Sequence, residues 1–329
     1  MLSERQNKIL KLIIEKYIKN PIPVGSKSIS SKLKCSSATI RNEMGKLEEL
    51  GYLEKTHTSS GRVPSALGYR YYVDNLLEAR KMNGEDMLKL QTVFRNQQLA
   101  VSDVIKKSLE IISDMMNYTT VVLGSSSHEN LLKQIEVVPI DDVSMIVIIV
   151  TDRGYVEHKN IKLDDVSLDE VKKTVGLINN LISGTPIDEV INKLEFEIKP
   201  IIGNYVRQHE QIYNAFYHVF NDFTTSDISV SGRSKMLEQP EFSSNITKIK
   251  TVFSKLDDNN ILRNIEEDDS NNIKVYIGNE NNIDEDITVI KTKYKTNEEE
   301  GTIAIIGPKR MEYDRVLALL EYLKENIER

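Results

Sequence analysis

The pattern of apolar and polar residues predicts three helices near the start of the chain. The first spans residues 3–20, where Ser3 and Gln6 can form a capping box and apolar residues recur at helical spacing. A short second helix is predicted over 27–33, and a third follows a tight turn and runs over 37–50. A short helix, a turn and a longer helix make a helix-turn-helix arrangement.

A hairpin is predicted directly after the third helix. Tyr52–Thr56 has the composition of a short strand, Ser59–Gly61 that of a turn, and Arg62–Pro64 begins the return strand. The tip of this hairpin, residues 57–62, is polar and cationic and contains no acidic residue, which suits contact with phosphates or with a minor groove. A helix-turn-helix followed by such a wing predicts a winged helix over residues 1–80.

Three tyrosines follow the wing, on a helix that Ser65 is positioned to cap. Tyr69, Tyr71 and Tyr72 could form a platform on which the bases of a single strand stack. Helical spacing equally allows them to pack against the three-helix core, and packing is the interpretation that we favour.

The rest of the chain alternates between helical and strand-like patterns. After a linker helix over 81–97, strands are predicted both before and after a helical block over 166–234. This order predicts one α/β domain, formed by 98–165 and 235–329, that the helical block interrupts. Within the block, residues 200–223 carry more aromatic and apolar side chains than one helix face needs, so they serve either the core or a subunit interface.

The charge is unevenly distributed between these parts. The net charge of the 329-residue chain is −7. Residues 1–80 contain 14 Lys and Arg against 8 Asp and Glu, a net +6, which leaves −13 on the remainder. A basic head joined to an acidic body indicates that the head binds a polyanion and that the body has another role.

The candidate DNA contacts on the third helix are Ser37, Thr39, Arg41, Asn42 and Lys46. Arginine can bridge O6 and N7 of guanine and asparagine can bridge N6 and N7 of adenine, while serine and threonine can bind phosphates or base edges. Lys46 is expected to contact phosphate.

Four wing residues complete the predicted DNA contacts: His57, Thr58, Ser59 and Arg62. Arg62 and the small polar side chains suit phosphate contacts. For His57 two interpretations stay open, a DNA contact and a neutral loop histidine.

No catalytic motif emerges from the sequence. It contains no dinucleotide-binding glycine pattern and no phosphate-binding loop, and its five histidines and one cysteine have no metal-ligand spacing. We therefore expect no enzyme activity, no cofactor and no metal site. The single cysteine, the charged amino end and the absence of a long apolar run predict a cytoplasmic protein without membrane spans.

Several stretches resemble the HrcA family of heat-inducible transcription repressors. They lie in the predicted winged helix and, again in order, near the carboxyl end. The stretches are 23–26, 37–44, 47–53, 57–64, 68–74, 237–242, 277–281 and 306–313. The resemblance covers nearly the whole chain, although Lys309 stands where the family has a smaller polar residue and 160–235 carries few family motifs.

The resemblance implies a homodimeric repressor of heat-shock chaperone operons. It would bind an inverted-repeat operator named CIRCE, release it on heat stress, and depend on the GroE chaperonin as a partner. The implied fold is α+β and multidomain: a winged helix-turn-helix, a GAF-like domain and an inserted, mostly helical dimerising domain. The alternative is a winged-helix regulator gated by a small molecule bound in the α/β body. An enzyme with a DNA-binding appendage is the third class, and no site in the sequence supports it.

Overall fold

The structure is a computed structural model that describes residues 2–55, 61–78, 82–95, 101–124, 130–152, 154, 156–163, 166–201, 209–226, 228–243, 246–258, 261–262, 265, 272–296 and 300–328. The chain divides into two compact units. The first consists of Met1–Val122, Val230–Glu298 and Thr302–Arg329, and the second of Leu123–Ser229 with Glu299–Gly301.

The first unit begins with a winged helix. Its elements are α1 (Glu4–Lys19), α2 (Lys27–Leu33), α3 (Ser37–Glu49), β1 (Leu53–Lys55), β2 (Arg62–Pro64) and α4 (Ala66–Tyr71), which continues as a π-helical turn over Tyr72–Leu76. The predicted capping box is present, because Ser3 and Gln6 exchange side-chain to backbone hydrogen bonds. The bounds of α2, α3, β1 and β2 confirm the predicted helix-turn-helix and both strands of the wing.

The rest of the first unit is built on a five-stranded sheet of order β7-β3-β10-β9-β8. Its elements are α5 (Gly84–Phe94), α6 (Val101–Met116), β3 (Thr119–Leu123), β7 (Ile228–Ser231), α10 (Pro240–Ser243), α11 (Ile246–Leu256), β8 (Lys274–Ile277), β9 (Ile287–Lys295), β10 (Glu300–Pro308) and α12 (Tyr313–Ile327). One continuous core joins α6, β9 and α12 to the winged helix, since buried Ile13 and Leu47 belong to the same apolar cluster as Ile105, Ile290 and Leu319.

The second unit lies between β3 and β7 in the sequence and has its own core. Its elements are β4 (Leu132–Pro139), β5 (Ser144–Thr151), β6 (Val156–Lys162), α7 (Leu168–Ile182), α8 (Ile187–Lys193), a π-helical turn over Leu194–Ile198, and α9 (His209–Ser226). The three strands form an antiparallel sheet with β5 in the centre. Asn179 of α7 ties helix to sheet, because its amide bonds both the N–H and the carbonyl of Ile135 at 2.7 and 2.8 Å.

The predicted domain boundary at 165/166 differs from the division that the structure shows. It falls between β6 and α7, and these elements share one core in which Val147 and Ile149 of β5 lie with Val171 of α7. The second unit therefore contains a sheet as well as helices. A pattern of apolar residues identifies the buried face of a strand but not the element that covers it, which explains the difference.

The packing of two predicted helices defines their roles. The linker helix predicted over 81–97 is α5, and Leu90 on α5 is fully buried in the core of the first unit. The aromatic helix is α9, whose Phe216 and Phe220 are fully buried in the second unit. Those two side chains serve the core, which was one of the two interpretations of that segment.

Candidate nucleic-acid interface

The turn between α2 and α3 is held by local hydrogen bonds. Lys34 ends α2 in the left-handed conformation, with φ of 50°. Ser36 then caps α3, its hydroxyl accepting the N–H of Thr39 at 3.1 Å. Ser26 and Ser37 place their hydroxyls 2.9 Å apart and so connect the start of α2 to the start of α3. These contacts fix the angle between the two helices.

Helix α3 has one buried and one exposed face. Ile40, Met44 and Leu47 are buried in the core. Arg41 and Asn42 are exposed, and neither has a hydrogen-bond or ion-pair partner elsewhere in the described residues. The two predicted base-contacting side chains therefore lie on a supported helix with their polar groups available.

The predicted contacts Ser37 and Thr39 are half-buried, and their hydroxyls already have partners. The Ser37 hydroxyl bonds Ser26, and the Thr39 hydroxyl lies 2.9 Å from that of Ser36. A hydroxyl has one donor and two acceptor positions, so each can still bond one further group.

Arg62, a predicted phosphate contact, has an acidic partner within the winged helix. Its guanidinium binds Glu48 of α3 through Nε at 2.7 Å and Nη2 at 2.6 Å, and its side chain is only 16% exposed. Its backbone N–H and carbonyl both pair with Val24. Arg62 thus braces the wing against α3, because two charged groups this close satisfy each other first. The identity of this partner was missing from the sequence prediction.

The remaining predicted contacts are divided between exposed and undescribed positions. Lys46 is 58% exposed and forms a short-range ion pair with Glu43, with 3.2 Å between the charged atoms. His57, Thr58 and Ser59 lie outside the described residues.

A cavity beside α3 adds a residue that the sequence analysis missed. It has a volume of about 280 Å³ and is lined by Gly25, Ser26, Lys27, Arg41, Met44 and Arg62. Lys27 is exposed at the start of α2. Lys27 and Arg41, beside a cavity of this size, can bind a phosphate group, whereas Arg62 is already paired with Glu48. The available signal was the polar Gly25-Ser26-Lys27 sequence that opens α2.

The tyrosines after the wing are packing residues rather than a stacking platform. Tyr69 and Tyr72 are buried, and their rings lie 6.0 and 6.4 Å from the ring of Tyr313 on α12. Burial raises the pKa of the Tyr69 hydroxyl well above its usual value. Tyr71 packs edge-on against Tyr52 at 5.1 Å. A buried ring cannot stack on a base, so the packing interpretation is confirmed for Tyr69 and Tyr72.

The described part of the chain offers no other obvious chemistry. No cluster of three or more His, Cys, Asp and Glu side chains within it could hold a metal ion. None of the described helices is long and apolar enough to cross a membrane.

Comparison with known proteins assigns the chain to a family. Residues 1–73 match the family described as "Winged helix-turn-helix transcription repressor, HrcA DNA-binding", and residues 102–317 match "HrcA protein C terminal domain". The heat-inducible transcription repressor HrcA of Bacillus pumilus (strain SAFR-032) is 36% identical over 334 residues, covering 99% of this chain and 97% of the relative. These descriptions are of a DNA-binding repressor, not of an enzyme.

A solved structure shares the fold. A protein described only as hypothetical, determined at 2.2 Å resolution, superposes with a TM-score of 0.63 at 24% identity, with 99% of this chain and 98% of the other covered. A regulator of the IclR family from Brucella abortus aligns over 99% of this chain and 94% of its own with a TM-score of 0.22 and 13% identity. On the family matches and the 36% identical relative, the chain belongs to the HrcA family of heat-inducible transcription repressors.

Proposed function

We propose that the protein represses heat-shock chaperone operons by binding, as a homodimer in the cytoplasm, an inverted-repeat operator of the CIRCE type, and that heat stress releases it. The observation that carries the DNA-binding part is the exposed face of α3. There, Arg41 and Asn42 have no partner among the described residues, while the opposite face is locked into the core.

Helix α3 would enter the major groove and place its exposed face against base edges. Arg41 suits a guanine, whose O6 and N7 accept a forked pair of hydrogen bonds, and Asn42 suits an adenine. The hydroxyls of Ser37 and Thr39 would each form a further hydrogen bond to a neighbouring base edge or phosphate. Both residues lie at the end of the helix that enters the groove first.

Phosphate contacts would surround this helix. Lys46 is on its far end, and Lys27 lies at the cavity that Arg41 and Arg62 also line. Arg62 would contribute positive charge from its position beside Glu48. The wing-tip residues His57, Thr58 and Ser59 would extend these contacts along the backbone or into the minor groove.

The homodimer follows from the operator. Two copies of one recognition helix, related by twofold symmetry, contact two half-sites of an inverted repeat. The bound dimer would block polymerase physically. Three parts of the proposal rest on the family resemblance alone. They are the GAF-like character of the first unit's sheet domain, the dimerising role of the inserted unit and the partnership with the GroE chaperonin.

Operator binding by single-residue variants tests the contact surface. Arg41→Ala and Asn42→Ala should each weaken specific binding by roughly 1–3 kcal/mol, about 5- to 150-fold, and relax the base preference at one position per half-site. Fluorescence anisotropy with operators substituted at single positions measures both quantities. Because neither side chain has a partner among the described residues, the free energy of unfolding should stay within about 0.5 kcal/mol of wild type.

Lys172→Ala is the control for the change in net charge, since Lys172 is an exposed cation on α7 of the second unit. It should bind the operator as wild type does. If Arg41→Ala and Asn42→Ala also bind like wild type, α3 does not contact the bases and the proposal fails.

The response to heat is tested with purified protein. Operator complexes are followed through heat-shock temperatures, with and without chaperonin and its nucleotide. We expect loss of binding on heating and recovery only with the chaperonin. Complexes that persist unchanged would contradict release of the repressor by heat.

A further inference from the structure

Arg70 connects the winged helix to the sheet domain of the same unit. It lies on α4, directly after the wing, and its Nε donates to Glu280 Oε1 at 3.0 Å. Its Nη2 donates to the other carboxylate oxygen of Glu280 and to the carbonyl of Val275 on β8, and its Nη1 lies 3.4 Å from Asp74. With all three nitrogens engaged and a side chain 25% exposed, Arg70 is a structural connection and not a free DNA contact.

Glu280 is itself held in place. It ends the 3-10 turn Gly278–Glu280, and its carboxylate also accepts the backbone N–H of Ile277 at 2.8 Å. Gly278 in the same turn has φ of +59°, and a Cβ at that position would lie 3.6 Å from the Ala66 side chain of α4. The turn therefore approaches α4 closely and presents a fixed carboxylate to Arg70.

Apolar packing beside the Arg70–Glu280 pair also attaches the winged helix to the sheet domain, but it constrains the angle between them less strictly. Tyr69 and Tyr72 pack on Tyr313, whose hydroxyl donates to the carbonyl of Lys309 at 2.5 Å. The Tyr69 hydroxyl is buried and has no hydrogen-bond partner in the described residues. Ring contacts tolerate small rotations, whereas a forked guanidinium–carboxylate pair is specific in angle.

We propose that Arg70, acting through Glu280, is a positioning residue for operator recognition. The pair sets the angle at which the winged helix sits on the sheet domain, and in a dimer that angle sets the separation of the two α3 helices. The inference rests on the proposed homodimer. Loosening the pair should widen the range of half-site spacings that the repressor accepts, without changing how one winged helix binds one half-site.

The experiment measures binding to operators whose two half-sites are moved apart or together by one to three base pairs, and to a single half-site. Wild type should prefer one spacing by about 10-fold or more, because spacing is a geometric property of the dimer. Glu280→Gln, which keeps the shape but removes the charge, should lose about 5- to 10-fold at the best spacing and little at the shifted ones, as angular precision is lost. Binding to the single half-site should stay within about twofold.

Arg70→Lys provides a second variant that keeps the charge but not the fork, and it should show a similarly flattened spacing profile. Asp74→Asn is the matched control, since it removes the charge of an exposed carboxylate that makes only the longer contact to Arg70, and its profile should equal that of wild type. Circular dichroism and thermal unfolding confirm that each variant is folded before its binding is compared.

The inference is overturned if folded Glu280→Gln and Arg70→Lys retain the sharp wild-type spacing profile. It is also overturned if both variants lose single half-site binding as strongly as operator binding, since Arg70 would then act within the head itself. A wild type that is monomeric on DNA or indifferent to spacing would instead contradict the proposed dimeric operator complex, and the inference with it.

Discussion

We expect the ion pair between Asp86 and Arg315 to contribute strongly to the free energy of unfolding. Asp86 on α5 is 2% exposed, and its two carboxylate oxygens accept Nε and Nη2 of Arg315 on α12 at 2.8 and 2.9 Å. Asn83, which caps α5, donates a further bond to the carboxylate at 2.9 Å. Because these groups connect α5 to the last helix of the chain, removing the carboxylate leaves a partly buried cation without its main partner.

The expected magnitude follows from burial. Removing one partner of a buried pair usually costs 3–5 kcal/mol, and the 24% exposure of Arg315 allows water to recover part of that. Asp86→Ala should therefore lower the free energy of unfolding by about 2–4 kcal/mol. For a unit of this size, the midpoint of thermal unfolding should fall by roughly 5–15 °C.

The pH dependence has a defined sign. The Arg315 guanidinium, with help from Asn83, holds the pKa of Asp86 below its ordinary 3.8 against the opposing effect of burial. A carboxylate with a depressed pKa in the folded state stabilises the protein above the unfolded pKa and loses that contribution as the pH falls through the folded value. The difference between wild type and Asp86→Ala should be constant above about pH 5 and shrink below pH 4.

Urea denaturation at pH 7 and at pH 3, followed by circular dichroism, measures these differences. Glu85→Ala is the matched control, because Glu85 is the neighbouring carboxylate, is 77% exposed and pairs with Lys89 at 2.8 Å. An exposed pair of this kind should contribute less than about 1 kcal/mol. Equal losses for Asp86→Ala and Glu85→Ala, or a difference from wild type that is independent of pH, would refute the reasoning.

Three further substitutions have clear expected outcomes. Gly68→Ala should destabilise the winged helix by about 1–3 kcal/mol or more, because the new Cβ would lie 2.2 Å from the Tyr52 carbonyl; an unchanged unfolding midpoint would contradict this. Glu48→Gln removes the negative charge that pairs with Arg62, so nonspecific DNA affinity should rise and the slope of log K against log salt should steepen by up to about 1; a slope equal to that of wild type means that Arg62 reaches no phosphate. Tyr69→Phe removes a buried hydroxyl that has no described partner, so denaturation should show a neutral or stabilising change; a loss above about 1 kcal/mol would indicate an unseen partner.

Much of the secondary structure could be predicted from the sequence, because it depends on local chemistry. Ser3, Ser36 and Ser65 cap the predicted helices, and β2 begins at Arg62 as predicted. The exposed positions of Arg41 and Asn42 followed from the spacing of the buried residues on α3. Caps and helical faces involve residues within four positions of each other, and a sequence pattern carries that information directly.

Partners distant in the sequence could not be predicted. Arg62 and Glu48 are fourteen positions apart, and nothing in the pattern indicates that the wing cation turns to α3 instead of outward. Lys27 was overlooked because its importance depends on a cavity that three separate segments build. The sequence analysis also missed helix α11, although the apolar residues within Ile246–Leu256 recur at helical spacing.

The shared core of the first unit has a consequence for synthesis. The winged helix is made before α12, yet Tyr69 and Tyr72 pack on Tyr313, which follows Tyr72 by 241 positions in the chain. The central strand β10 and helix α12 are also made only after the inserted unit. A ribosome-bound chain therefore carries a DNA-binding head whose docking surface does not yet exist. Until α12 emerges, the apolar side of α4 is open to water, and the newly made winged helix depends on this distant helix to cover it.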